Sequence, residues 1–277
     1  MTNTDAVFNG SIPEIYDEYL VPLIFEKYAD DLADRVVAVA PESVLEIAAG
    51  SGVVTRALAP RLSSTARYVV TDLNQTMLDR AKTMQPPDTR IEWRQADALD
   101  LPFDDDSFDA VVCQFSVMFF PDKVAGYAEA RRVLKPGGMF VFNVWDNIES
   151  NEISDLVTRG AAAVFPDDPP MFLARTPHGY HDVRKIGADL VAARFSDVAG
   201  ETLEKISSAP TARHAAIGYT QGTPLRNEIE ERDASALELV TERATELIVA
   251  RFGDGSVSAK MRAHVVVVSK FRDFSGD

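Results

Sequence analysis

From Ile12 to about Val39 the apolar positions fall at helical spacing: Leu20, Leu23, Ile24, Tyr28, Leu32, Val36 and Val37. Pro22 lies inside that run and predicts a kink or a restart, because its ring removes a backbone donor. The period then changes. Ser43-Val44-Leu45-Glu46-Ile47 reads as a short apolar strand ending in a small-residue loop, Val53 to Leu62 as a helix, and Tyr68 to Thr71 as a strand. A helix begins near Gln75 and ends at Pro86-Pro87. Ile91 to Gln95 alternates as a strand, Phe108 to Gln114 is a buried strand, and Val124 to Leu134 is a helix. Pro136-Gly137-Gly138 is expected to turn the chain into a strand from Met139 to Trp145.

Strands alternating with helices predict βαβ units, and so a parallel sheet covered on both faces. After Asn147 the rhythm loosens: a helix over Ile153 to Val164, a loop through Phe165 to Pro170, a helix over Val183 to Phe195, and strands at Val198 to Ser207 and Val265 to Val268. Between the last two strands lies a helical stretch, Thr211 to Phe252, broken by Gly222 and Pro224. It is too long for a hairpin loop and is expected to cap the open end of the sheet.

Composition narrows the partners. The net charge of −15 repels polyanions, and the densest basic run, Arg131-Arg132 with Lys135, is too small for a nucleic-acid footprint. A single cysteine, Cys113, excludes an intramolecular disulfide and reads as a buried small hydrophobe. Met1-Thr2-Asn3-Thr4-Asp5 lacks the layout of a signal peptide, and no apolar run reaches the roughly 20 residues that span a bilayer. The expectation is a cytoplasmic protein.

In open α/β sheets, ligands bind beyond the carboxyl ends of the strands, where the strand order reverses. The first strand–loop–helix unit is therefore the place to look. Ala48-Ala49-Gly50-Ser51-Gly52 allows a tight turn and a close approach, and the following helix offers unpaired N–H groups at its positive end. Asp72 ends the second strand about 20 residues past the glycines, where a carboxylate accepts hydrogen bonds from a ribose. Asp97 follows the third strand, also at the carboxyl edge. A nicotinamide or flavin site would read G-x-G-x-x-G/A, but Thr55 stands at the third position.

The stretch from Val44 to Trp145 resembles the class I S-adenosylmethionine (SAM)-dependent methyltransferases, in particular the small-molecule branch that includes ubiquinone and menaquinone biosynthesis enzymes. Val44-Leu45-Glu46-Ile47-Ala48-Ala49-Gly50-Ser51-Gly52 is similar to the first motif of that family, and Val70-Thr71-Asp72-Leu73-Asn74 with Met77-Leu78 to its second. Gln95-Ala96-Asp97-Ala98, Leu101-Pro102-Phe103 and Ser107-Phe108-Asp109-Ala110-Val111 match the third and fourth. Arg132 to Gly138 is similar to the approach to the fifth strand.

The resemblance implies a Rossmann-like, doubly wound, seven-stranded and mostly parallel sheet whose last strand, near Ala263 to Ser269, runs antiparallel. A helical cap would come from the N-terminus and from the late insertion. The corresponding divisions are 1–40 (cap), 41–147 (SAM-binding core), 148–210 (connecting elements), 211–258 (cap insertion) and 259–277 (last strand and tail). It implies SAM as cofactor, with S-adenosylhomocysteine (SAH) as product. Glu46 would orient the loop and sit near the methionine amino group, with Gly50 and Gly52 walling the cofactor. Asp72 would take the ribose hydroxyls, Leu73 and Met77 would pack near the adenine, and Asp97 would accept from the adenine amino group beside Ala98. Gln114 and Phe115 would line the methyl end, and Tyr16 or Tyr19 would reach in from an N-terminal lid or pack at the surface. Ala48 departs from the family's usual glycine; alanine fits there if φ is negative, with a slightly altered loop and retained binding.

Candidate general bases are His178, His181 and His214, with solvated loop histidines as the alternative; His264 reads as structural. Phe119, Phe120, Trp145, Met171 and Phe172 form either an apolar substrate wall or ordinary core. Asp104-Asp105-Asp106 reads as a solvated turn, and no ligand set for a metal is found. Cys113-Gln114-Phe115-Ser116 lacks the Asn/Asp-Pro-Pro-aromatic signature of amino-methylating nucleic-acid enzymes. With the acidic charge, this favours a small-molecule acceptor methylated on oxygen or carbon before nitrogen. A catalytically silent SAM- or SAH-binding protein is the alternative from another class, and a nicotinamide oxidoreductase is the third reading.

Overall fold

The computed structural model describes residues 12–271, leaving aside the side chain of Asp197. The reading of the first five residues as no signal peptide lies outside that range. Seven strands are present: β1 Ser43–Glu46, β2 Arg67–Asp72, β3 Ile91–Gln95, β4 Phe108–Gln114, β5 Leu134–Trp145, β6 Ser196–Ala209 and β7 Val257–Ser269. They form one sheet in the order β3-β2-β1-β4-β5-β7-β6. Pairings β1–β2, β1–β4, β2–β3 and β4–β5 are parallel. β7 enters antiparallel beside β5: Gly137 N–H donates to Lys270 O at 2.6 Å and Asp146 N–H to Arg262 O at 3.0 Å, so one strand rises as the other falls. The sheet is thus the Rossmann-like arrangement that the resemblance implied, antiparallel last strand included.

Contacts divide the chain into two compact units. One comprises, among the described residues, Tyr28–Val144, Asp182–Thr202 and 264–271. It holds the parallel strands and the helices that cross between them, Val53–Leu58, Gln75–Met84 and Lys123–Val133. Val44, Leu45, Val69, Val70, Val111 and Val112 are fully buried, as strands covered on both faces must be. The other unit comprises, among the described residues, 12–27, Trp145–His181 and Leu203–Ala263. In it the helices Glu152–Val164 and Leu237–Phe252 pack backbone to backbone: a Cβ added at Gly160 would come within 2.8 Å of Ala244 Cα. Pro22 breaks neither helix. Around it the chain winds as a π-helix, Tyr16–Phe25, between α-helical turns, and the wider spiral accommodates the missing donor.

One expected turn is corrected. Pro136-Gly137-Gly138 does not precede β5 but lies inside it, because the strand starts at Leu134. Phe108 pairs with Leu134 and Ala110 with Met139, so Asp109 alone faces Lys135 to Gly138 across a bulge. Gly137 has φ 86°, the backbone kink such an insertion demands.

Candidate functional site

Strand order reverses between β1 and β4: the chain leaves β1 toward β2 and β3, then returns to β4 on the other side. The loops after β1 and β4 therefore diverge at the carboxyl edge, the place where such sheets bind ligands. Ser116 Oγ donates across this opening to Ala48 O at 3.2 Å.

Asp72 organises the loop after β1. Its carboxylate accepts from Gly50 N–H at 2.7 Å and from Asn74 N–H at 2.8 Å, tying two loops to one strand end. Burial raises its pKa against the opposing pull of those two backbone donors. The Asn74 side chain then caps the helix Gln75–Met84, accepting from Thr76 and Met77 N–H. Three loop residues have left-handed backbones: Ala48 at φ 53°, Gly50 at 58° and Gly52 at 80°.

The Ala48 value corrects the expectation of a negative φ. Once Ala49 N–H is bonded to Thr71 O and Gly50 N–H to Asp72, the intervening peptides must turn left-handed, whatever residue occupies position 48. Alanine pays about 1–2 kcal/mol for this conformation and glycine does not. Allowing for glycine's greater unfolded-state entropy, Ala48→Gly is expected to stabilise the protein by about 1 kcal/mol. A melting midpoint that stays put or falls would refute the strain.

Glu46 is buried at the end of β1 and accepts from Thr55 Oγ1 at 2.7 Å and from the Tyr68 hydroxyl. Desolvation pushes its pKa up to about 7, against the pull of those two donors. Thr55, which sequence reading valued only as an absent glycine, is thus a partner of the site, and so is Tyr68 from β2. The signal was available: an acidic residue inside an apolar strand requires nearby donors.

Register extends the picture across the sheet. Val70, Glu46, Val112 and Val141 pair in one row, and two residues further on Asp72, Gln114 and Asn143 occupy the next. Residues paired across parallel strands share a face, so these polar groups stand on the same side, with β1 ending short between Asp72 and Gln114. Asn143 is fully buried within Phe140-Val141-Phe142-Asn143-Val144, and sequence reading missed it. Its Oδ1 accepts from Phe115 N–H at 2.8 Å, holding Phe115 at φ 48° while Tyr28 meets the ring edge-on at 5.2 Å. A bulky residue in that region is a genuine outlier, costing about 1–3 kcal/mol, of the kind that clusters at ligand sites.

Of the remaining core candidates, Met77 is buried, its methyl 3.7 Å from where a Cβ on Gly50 would sit. Leu73 is exposed. Asp97 is exposed and accepts from Leu99 N–H at 2.9 Å, with Ala98 buried beside it. Phe119 closes a short turn, Val117–Phe119, half-buried. Cys113 is buried, and burial raises its thiol pKa. Asp105 and Asp106 pair with Arg132 and Lys270, and no group of residues suited to a metal occurs among the described residues.

The other candidates lie in the second unit. Tyr16 stacks on Phe25 at 5.1 Å, Phe25 lies 6.1 Å from Trp145, and Trp145 lies 6.0 Å from His178. His214 lies 4.5 Å from Tyr19. His178 is buried, and desolvation lowers its pKa to about 4, so it stays neutral near pH 7. Its Nδ1 donates to Asp146 O at 2.8 Å, since a carbonyl can only accept, and His181 Nδ1 donates likewise to His178 O. His264 Nδ1 lies 2.9 Å from Thr202 Oγ1 in the first unit.

A mostly parallel open sheet with an antiparallel last strand, a left-handed glycine loop after β1 and an acid at the end of β2 make up a Rossmann-like fold with a ligand-sized opening at its switch point. Residues 45–142 match the model of a methyltransferase domain. Over 106 residues the chain is 44% identical to a demethylmenaquinone methyltransferase of Clavibacter sepedonicus, covering 38% of this chain and 42% of that protein. It is 31% identical over 142 residues to a 2-phytyl-1,4-naphthoquinone methyltransferase of Trichormus variabilis, covering 49% and 62%. The chain thus spans less than two thirds of the length of either relative. The YcgJ protein of Bacillus subtilis shares the fold, with TM-score 0.54 at 18% identity over 87% of this chain and 99% of that one. No described helix is long and apolar enough to cross a membrane.

The site fits SAM on its own chemistry. Glu46 is a desolvated carboxylate that a cation would relieve, and Asp72 is an acceptor fixed at a strand end. Ser51 Oγ, in the loop after β1, is buried with no hydrogen-bond partner among the described residues.

Proposed function

We propose that this chain transfers the methyl group of SAM to a small-molecule acceptor, on oxygen or carbon in preference to nitrogen. The observation that carries this reading is Asp72, buried and fixed by Gly50 and Asn74 beside the opening between β1 and β4. The matched quinone methyltransferases support an acceptor of that kind. In this reading Asp72 takes the ribose, and Glu46 neutralises the methionine ammonium. Leu73, Met77, Asp97 and Ala98 hold the adenine, with Gln114 and Phe115 near the methyl. Tyr16 stands as a further candidate for the cofactor, and Phe119, Trp145, His178, His181 and His214 as candidates for the acceptor.

When bound, SAM supplies a methyl carbon already activated by the sulfonium. The protein's task is then to align a nucleophile with it, which can supply roughly 7–11 kcal/mol of the barrier. The Thr55–Glu46 hydrogen bond argues against a nicotinamide site, because it fills the position that a third glycine would leave open.

Calorimetry with SAM and with NAD, followed by transfer of labelled methyl to 1,4-naphthoquinols, tests the proposal. Tight SAM binding with transfer is expected. Binding of NAD in its place would overturn the reading, and SAM binding without transfer would leave a silent binder. Because burial pushes the Glu46 pKa up to about 7 and Glu46 would bind the ammonium as carboxylate, SAM affinity should weaken roughly 25-fold from pH 7.5 to 5.5. Glu46→Gln should flatten that profile; an equally steep profile in the variant would remove Glu46 from contact with the ligand.

A further inference from the structure

The row at the carboxyl edge holds two buried polar atoms, on Gln114 and Asn143, that the SAM reading leaves without a partner; it sets Gln114 near the methyl and assigns Asn143 nothing. Phe115 N–H can only donate, so the Asn143 amide must present Oδ1 to it, and its Nδ2 faces elsewhere as a donor. Gln114 Oε1 is an acceptor, and Gln114 pairs with Asn143 in register, so the two amides stand side by side on one face. Neither Asn143 Nδ2 nor Gln114 Oε1 has a hydrogen-bond partner among the described residues, although both are buried. An amide inside the apolar run of β5 is costly unless something pairs with it.

Distance separates this pair from the cofactor's polar end. β2 and β5 are three strand spacings apart, about 14 Å, and β2 and β4 about 10 Å. A ribose held at Asp72 connects to a sulfonium methyl through only a few bonds of roughly 1.5 Å. The pair therefore lies at and beyond the methyl, on the acceptor's side. One donor beside one acceptor suits a group that does both, and a hydroxyl is the smallest such group. An aldehyde, ether or tertiary amine could satisfy only Asn143.

We infer that Gln114 and Asn143 form a donor–acceptor pair that grips a hydroxyl of the methyl acceptor: the hydroxyl donates to Gln114 Oε1 and accepts from Asn143 Nδ2. This rests on the methyl-transfer reading and narrows its acceptor to a hydroxylated molecule. Asn143 does double duty, since its other atom holds the Phe115 turn in place. A site with both polar atoms buried should reject a ligand lacking the hydroxyl, because both atoms would then stay unpaired.

The test uses SAH-loaded protein at pH 8 with two probes matched in shape, 1-naphthol and 1-methylnaphthalene. Wild type is expected to bind 1-naphthol at least tenfold more tightly. Asn143→Asp keeps an acceptor for Phe115 but, when ionised, offers no donor; Gln114→Met keeps the length and loses the acceptor. Each should cut the preference to within threefold, a larger factor than any change in SAH affinity. Amide exchange at Phe115 should remain as slow in Asn143→Asp as in wild type, which a purely structural role would also give without loss of the preference. If Asn143→Asp fails to fold, Gln114→Met carries the test alone. No hydroxyl preference in wild type, or an undiminished one in the variants, overturns the pair. A tenfold loss of SAH affinity in the variants reassigns it to the cofactor. Failure of SAH to bind wild type at all sinks the methyl-donor reading instead, so the two failures are told apart.

Discussion

Replacing Asp72 by alanine is expected to weaken SAM binding at least tenfold, and the effect should exceed the loss of any one ligand contact. The carboxylate holds Gly50 N–H and Asn74 N–H, so its removal unties both loops at the opening. Hydrogen bonds to a charged group contribute about 1.5–3 kcal/mol each. Losing one such bond to the ligand already accounts for tenfold, and relaxing the loop adds to it. Asp72→Asn retains one acceptor oxygen and should fall between alanine and wild type. Calorimetric titration of the three proteins with SAM measures the series; an unchanged dissociation constant for Asp72→Ala would remove Asp72 from the site. Since burial rather than pairing dominates the environment of Asp72, alanine should destabilise the free fold less than it damages binding.

The second large effect is expected at Gly52, where two costs coincide. Its φ of 80° disfavours any side chain, and an added Cβ would stand 2.9 Å from Ala81 Cβ in the helix Gln75–Met84. Gly137 supplies the control: φ is 86°, yet nothing lies within 4 Å of its added Cβ. Gly137→Ala should cost only the dihedral, about 1–2 kcal/mol. Gly52→Ala should cost about 3 kcal/mol, with overpacking added, and lower the melting midpoint by roughly 6–10 °C. It should also abolish measurable SAM binding, because relief requires moving the loop away from the Gln75–Met84 helix. Ala81→Gly in the same chain should restore most of the steric part. Equal destabilisation at positions 52 and 137 would show that the contact with Ala81 relaxes freely.

The sequence by itself determined the alternation of strands and helices, because periodicity reports burial directly, and with it the sheet. It also set the small-residue loop and the acid at the ends of successive strands. A small-residue loop after the first strand and an acid after the second are local features, and their roles follow from strand ends. Thr55 was legible only as a missing glycine, since its bond to Glu46 depends on how the helix after the loop packs under β1. Asn143 was not legible: in sequence it is one polar position in an apolar strand, and its place beside Gln114 comes from a non-local register. The sign of φ at Ala48 was likewise a tertiary decision. Residue type sets which conformations are cheap, but hydrogen bonds from Ala49 to Thr71 and from Gly50 to Asp72 fixed the loop, and alanine accepted the left-handed turn they imposed.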